Sequence, residues 1–160
     1  MSRTAPYMPD PALTPGCITH VASQDVAAGR RPTPTARRVT HATKRYIFMS
    51  YGIPDQDDDL YEIDHLVPLE LGGSNAPSNL WPQPIVSTYT GDEKDRLENN
   101  VHAMVARGTI TPVQAVNVWA YNWVDAYRLL VNLDDSVGSL AILCAVAPRV
   151  EAQIAQPLIS

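Results

Sequence analysis

Cysteine is nearly absent from this chain: Cys17 and Cys144 lie far apart, and no Cys-x-x-Cys pair occurs. That excludes a cysteine-built zinc site and a dithiol redox centre. Long apolar runs are missing too, since the most apolar stretch, residues 137–147, is too short to span a bilayer. Residues 1–15 hold no apolar core of a secretory signal, so the expectation is a cytoplasmic protein with no membrane segment. An excess of positive charge is also lacking. The net charge of −5 argues against a generic basic nucleic-acid binder, whose affinity comes from phosphate contacts. Acidic residues, however, are absent between Asp25 and Asp55, where Arg30, Arg31, Arg37, Arg38, Lys44 and Arg45 all fall. The interval predicts a local basic surface on an acidic protein, or else a solvated and partly disordered arm.

What is present describes one domain with irregular flanks. A chain of 160 residues holds a single core of ordinary size. Residues 1–38 carry Pro6, Pro9, Pro11, Pro15, Pro32 and Pro34, which predicts an extended arm with one strand-like piece at 17–22. Thr40 is placed to cap a helix over 40–51, which Gly52 and Pro54 stop. Four aspartates within residues 55–59 form an acidic turn, without the glycine-centred spacing of a calcium loop.

From Tyr61 apolar residues alternate with acidic ones, Tyr61, Ile63 and Leu66 with Glu62 and Asp64. That is a strand with one face buried. Leu71-Gly72-Gly73-Ser74-Asn75 supplies turn glycines and Leu80-Trp81 begins a return segment, so a hairpin with a long, irregular turn is expected. A helix over 90–108 follows, with Thr90 and Glu93 as a capping box, Gly108 as its stop and Leu97, Val101, Met104 and Val105 as its apolar stripe. Asp95, Asn99 and His102 share the opposite face. Thr111, Pro112 and Gln114 open a last helix to about residue 133, burying Val116, Trp119, Ala120, Trp123, Tyr127 and Leu130 as core. Residues 134–160 form a tail without an assigned role. The class is α+β.

The chemistry is concentrated at the strand end. Hydrolysing a phosphodiester needs an activated water and positive charge near the phosphate and the leaving oxygen. His65 is the candidate general base, because an imidazole with a pKa of roughly 6.5 is largely neutral at pH 7 and accepts a proton. At a strand end the chain can turn, letting Asp64 face a cation while His65 faces the water. A hard divalent ion such as magnesium takes that oxygen ligand. Asn79 can tie the return segment back across the turn and orient His65. A second ligand must come from the following helix.

Asp64-His65-Leu66-Val67-Pro68-Leu69, Gly72-Gly73-Ser74 and Ser78-Asn79-Leu80, with Lys94-Asp95-Arg96-Leu97-Glu98-Asn99 beyond them, resemble the HNH endonucleases, and in particular a bacterial and phage subgroup. The resemblance covers about residues 10–130. It implies a ββα-metal (His-Me finger) unit over 61–107 inside a nuclease domain of residues 39–133. It also implies one divalent cation, magnesium first with manganese, nickel or zinc as alternatives, and nicking or cleavage of DNA; the expected partner is double-stranded DNA. By the same resemblance Asp64 is a metal ligand, His65 the base and Asn79 the structural asparagine. The pattern departs at its third position, where residues 82–90 are inserted before the helix. Asn99 is the first candidate ligand there and Asp95 the second, followed by His102 and Glu98. Arg30, Arg31, Arg37, Arg38, Lys44, Arg45 and Lys94 are the candidate DNA contacts. Two other readings stand beside the enzyme: a nucleic-acid-binding module that keeps the fold without catalysis, and a protein-interaction module.

Overall fold

A computed structural model describes residues 8–18 and 38–132. The architecture is α+β, with a two-stranded antiparallel sheet and, among the described residues, three α-helices. Helix α1 spans His41–Ser50, strand β1 Tyr61–His65, strand β2 Leu80–Pro84, helix α2 Gly91–Ala106 and helix α3 Pro112–Asn132. Short 3-10 turns at Asp55–Leu60, Leu69–Leu71 and Pro77–Asn79 join them.

The helices begin where local side chains satisfy their first amides. Thr40 Oγ1 accepts from the Thr43 amide at 3.1 Å, opening α1. At α2 the Glu93 carboxylate accepts from both the amide and the hydroxyl of Thr90, at 2.8 and 2.7 Å. Thr111 and Gln114 cap each other reciprocally ahead of α3. Helix α3 is not a single rod as expected. Asn122 has non-helical dihedrals (φ −167°, ψ 92°), and its side chain accepts from the Asp125 amide and donates to the Asp125 carboxylate. Asn122 therefore acts as an N-cap inside the run, and the helix bends there.

The sheet register pairs Tyr61 with Pro84, Ile63 with Pro82 and His65 with Leu80. Hydrogen bonds at either end, Ile85 N–H to Leu60 O and Leu66 N–H to Asn79 O, put odd-numbered residues of β2 in the bonded positions. Pro82 and Pro84 thus fall where an amide would point away from β1, which is how a strand tolerates two prolines. All five residues of β2 are buried. The described part of the N-terminal arm is not loose. It runs across the 73–80 segment, with Gly16 N–H bonded to Ser78 O, Ser74 N–H to Cys17 O, and Ile18 bridging Gly73. Thr14 donates to Leu80 O, and its hydroxyl is paired at 2.7 Å with that of Tyr51 at the end of α1.

One core joins the loop after β1 to the two long helices. Leu66, Val67, Leu71 and Trp81 pack with Leu97, Val101, Met104, Val116, Trp119, Trp123 and Tyr127. Trp81, Trp119 and Trp123 are fully buried, the last two as expected for core. The side chains of Ala120 and Leu130, the 19–22 part of the strand-like piece and residues 133–160, including the 137–147 run, lie outside what is described.

The Thr90 hydrogen bonds, hydroxyl first and amide second, hold the Glu93 carboxyl below its usual pKa. A carboxyl depressed on folding stabilises above its unfolded pKa and loses that contribution as pH falls through the folded value. Glu93→Ala is expected to cost about 0.5–1 kcal/mol at pH 7, with the gap to wild type closing below about pH 4. Urea unfolding at the two pH values reads both effects.

Candidate functional site

The segment between the strands is built around one side chain. Asn79 is fully buried, and its amide nitrogen donates to Val67 O at 3.0 Å and Ser74 O at 2.9 Å. Its amide oxygen accepts from the amides of Val67 at 2.9 Å and Cys17 at 3.3 Å. Its backbone carbonyl accepts from Leu66. Loop and arm therefore close on a single carboxamide. Gly73 is required beside it: a Cβ there would lie 1.8 Å from Val67 O and 2.9 Å from Asn79 Nδ2.

His65, the last residue of β1, is 7% exposed. Its Nε2 lies 2.8 Å from Asn75 Oδ1, across the loop that Asn79 holds. The contact to Asn75 was not anticipated. Asn79 fixes the backbone next to His65, whereas Asn75 meets the ring itself.

Asp64 contacts a different neighbour. Its Oδ2 is 2.8 Å from Lys94 Nζ on α2, and the same ammonium is 2.6 Å from Glu98 Oε1 one turn on. Lys94 is only 2% exposed, and its Nζ lies 5.1 Å from the Trp119 ring centroid. Burial by itself lowers a lysine pKa, but here the Asp64 and Glu98 carboxylates outweigh it and hold Lys94 above its ordinary value. Burial raises the Glu98 carboxyl, with Lys94 opposing. Lys94, expected as a phosphate contact, is instead an internal counter-ion.

A cavity of about 270 Å³ opens beside this triad, lined by Glu62, Ile63, Asp64, Gly91, Asp92, Lys94, Asp95 and Glu98. The structure thus brings Asp95 and Glu98 to Asp64. It does not bring Asn99, which is exposed, does not line the cavity and donates to Asp95 O on its own helix at 2.9 Å. His102 is half-buried further along α2. Arg38, Lys44 and Arg45 are exposed, while Arg30, Arg31 and Arg37 lie outside the described residues.

No protein-family model, no curated protein and no solved structure matches the chain. Its own residues carry the argument.

Carboxylate oxygens suit a hard divalent cation, but as arranged they do not fit one. Lys94 holds the point where Asp64 and Glu98 converge, and among the described residues no group of three or more His, Cys, Asp or Glu is disposed to hold a metal ion. Sequence reasoning reached Asp64 and listed Glu98 last. It missed the link through Lys94, whose only local signal is the i, i+4 spacing of Lys94 and Glu98.

Lys94→Met leaves two carboxylates facing each other without their cation. It is expected to destabilise by about 2–3 kcal/mol, at or below the lower end for a fully buried pair because Asp64 and Glu98 retain 25% and 16% side-chain exposure. Glu98→Gln keeps a hydrogen-bonding oxygen and removes a buried charge, so its cost is expected below about 1 kcal/mol. A raised lysine pKa contributes stability below the unfolded value near ~10.4 and loses it as pH rises through the folded value. The Lys94→Met deficit therefore persists from neutral pH to about pH 10. Chemical denaturation of both variants at pH 7 and 9.5 checks the order and the persistence.

Proposed function

We propose that this protein hydrolyses phosphodiester bonds in DNA, as an endonuclease of the HNH type, with His65 as general base. The observation that carries the reading is the placement of His65. It sits at the end of β1, its ring is held through Nε2 by Asn75, and the adjoining loop is locked by the Asn79 carboxamide. The order β1, long loop, β2, α2 supports this reading. A neutral imidazole so fixed can take a proton from water as the water oxygen attacks phosphorus. The P–O bond to the leaving oxygen breaks, and that oxygen takes a proton from solvent.

Charge on the phosphate must be met by cations. Arg38, Lys44 and Arg45 are the exposed candidates among the described residues, with double-stranded DNA as the partner they suit. The divalent cation implied by the resemblance, with magnesium first, enters no step here, because the Asp64 oxygen it would take is paired with Lys94. That same pair favours a second reading, a nucleic-acid-binding module in which Lys94 closes the site and catalysis is lost. Both readings predict DNA binding that weakens steeply with salt.

Supercoiled plasmid incubated with the protein, with magnesium or manganese and separately with EDTA, separates them. The enzyme reading expects nicked or linear product, reduced at least about 100-fold by His65→Ala. Plasmid retained on the protein but left intact under every condition selects the binding module. Cleavage undiminished in His65→Ala contradicts the assignment of the base.

A further inference from the structure

A second cavity, of about 330 Å³, opens where the arm crosses the end of α1. Its walls are Tyr46 and Ile47 of the helix, Tyr51 at the helix C-cap, Leu13 of the arm, and Pro77 and Ser78. None of its lining residues is charged. Ile47 is buried, whereas Leu13 and Tyr46 are 39% and 57% exposed, so the cleft is open to solvent. Pro77 and Ser78 run directly into Asn79, and the cleft therefore borders the loop that the Asn79 carboxamide closes.

Most of this cleft is held in place. Thr14 Oγ1 donates to Leu80 O, so its 2.7 Å contact with Tyr51 Oη uses the tyrosine proton and fixes that ring. Gly16 N–H bonded to Ser78 O ties the arm to the opposite wall, and the Asp10 carboxylate is engaged by the Ala12 amide at 2.9 Å. Tyr46 differs from the other walls in presenting an aromatic ring that is more than half exposed.

Charge decides which occupant suits the cleft. No acidic residue falls between Asp25 and Asp55. Lys44 is exposed and stands at i to Ile47 at i+3 and Tyr51 at i+7, on the side of α1 that forms the cleft. An uncharged slot with an aromatic wall, next to an exposed ammonium, matches the two halves of a nucleotide: the base stacks and the phosphate meets the cation. The volume is at the low end of the roughly 300–1,000 Å³ usual for ligand pockets, enough for one base and too small for a duplex. A base within a duplex is paired and stacked on its neighbours, and withdrawing it costs free energy that an unpaired base does not.

We propose that this cleft receives an unpaired base of the DNA, stacked on Tyr46 with its phosphate on Lys44, so that the substrate class is duplex DNA carrying an unpaired nucleotide. The proposal rests on the reading of DNA as the partner and is independent of whether the DNA is cut.

The test is fluorescence anisotropy in EDTA with two labelled duplexes, one fully paired and one identical but for a single extra, unpaired nucleotide, each titrated over a range of salt. The wild-type protein is expected to bind the second duplex about 5- to 150-fold more tightly. Tyr46→Ala is expected to abolish that difference and leave the salt dependence unchanged, while Tyr46→Phe, which keeps the ring, retains it. Lys44→Ala is expected to weaken binding to both duplexes and to lower the slope of log affinity against log salt by about 0.9, the share of one phosphate contact. Equal affinity of the wild type for the two duplexes, or a preference that survives Tyr46→Ala, overturns the proposal while leaving DNA as the partner. Binding to neither duplex overturns it through the DNA reading itself and gives the cleft to an apolar segment of a protein partner.

Discussion

The Asn79 carboxamide is the interaction on which the rest depends. Loops of this length leave many amides and carbonyls without partners inside themselves, and those that are buried must find hydrogen bonds elsewhere. Here one fully buried side chain donates to Val67 O and Ser74 O and accepts from the amides of Val67 and Cys17. Closure by a carboxamide is directional, since it needs two donors and an acceptor together. An aspartate of the same shape has no donors to offer the two carbonyls. The apolar residues of the loop, Leu66, Val67 and Leu71, can then enter the same core as α2 and α3, because their backbone needs are met.

Two neighbouring residues are given separate environments by this closure. His65 turns to Asn75 within the loop, and Asp64 turns to Lys94 on α2. A strand end permits this division, which strict alternation also favours. The consequence is electrostatic. Among the described residues, the side of Asp64 gathers Glu62, Asp92, Asp95 and Glu98 about the buried Lys94 ammonium, while the ring of His65 meets the Asn75 amide.

Much of the fold was legible because its signals are local. Thr40, Thr90 with Glu93, and Thr111 with Gln114 each announce a helix start within three residues, and all three open helices. Period-two alternation marked β1, and the spacing of Trp119, Trp123 and Tyr127 marked the buried side of α3. The bend at Asn122 was hidden because an Asn with Asp three residues on reads equally as a helix surface or as a cap. At the site, the part of Asn79 in tying the return segment back across the turn was legible from its type and spacing, whereas the partners of Asp64 and His65 were not. Asn75 sits in a turn that composition explains without it. Lys94 pairs with a residue thirty positions away, and whether a lysine near a helix start faces solvent or a carboxylate depends on how the helix docks. Asn99 was chosen for its place on a polar stripe, but its own side chain is exposed and turns back to Asp95 O on the same helix.

The account stands or falls on the Asn79 closure, and amide hydrogen exchange measures it residue by residue. In the wild-type protein the Leu66 and Val67 amides are expected to exchange as slowly as those of Leu97 and Val101 in α2, since all four open only with the core. In Asn79→Ser the Val67 amide is expected to lose most of its protection while Leu97 and Val101 keep theirs. A Val67 amide that exchanges rapidly in the wild type, or one that stays protected in Asn79→Ser, would contradict the claim that this side chain holds the site together.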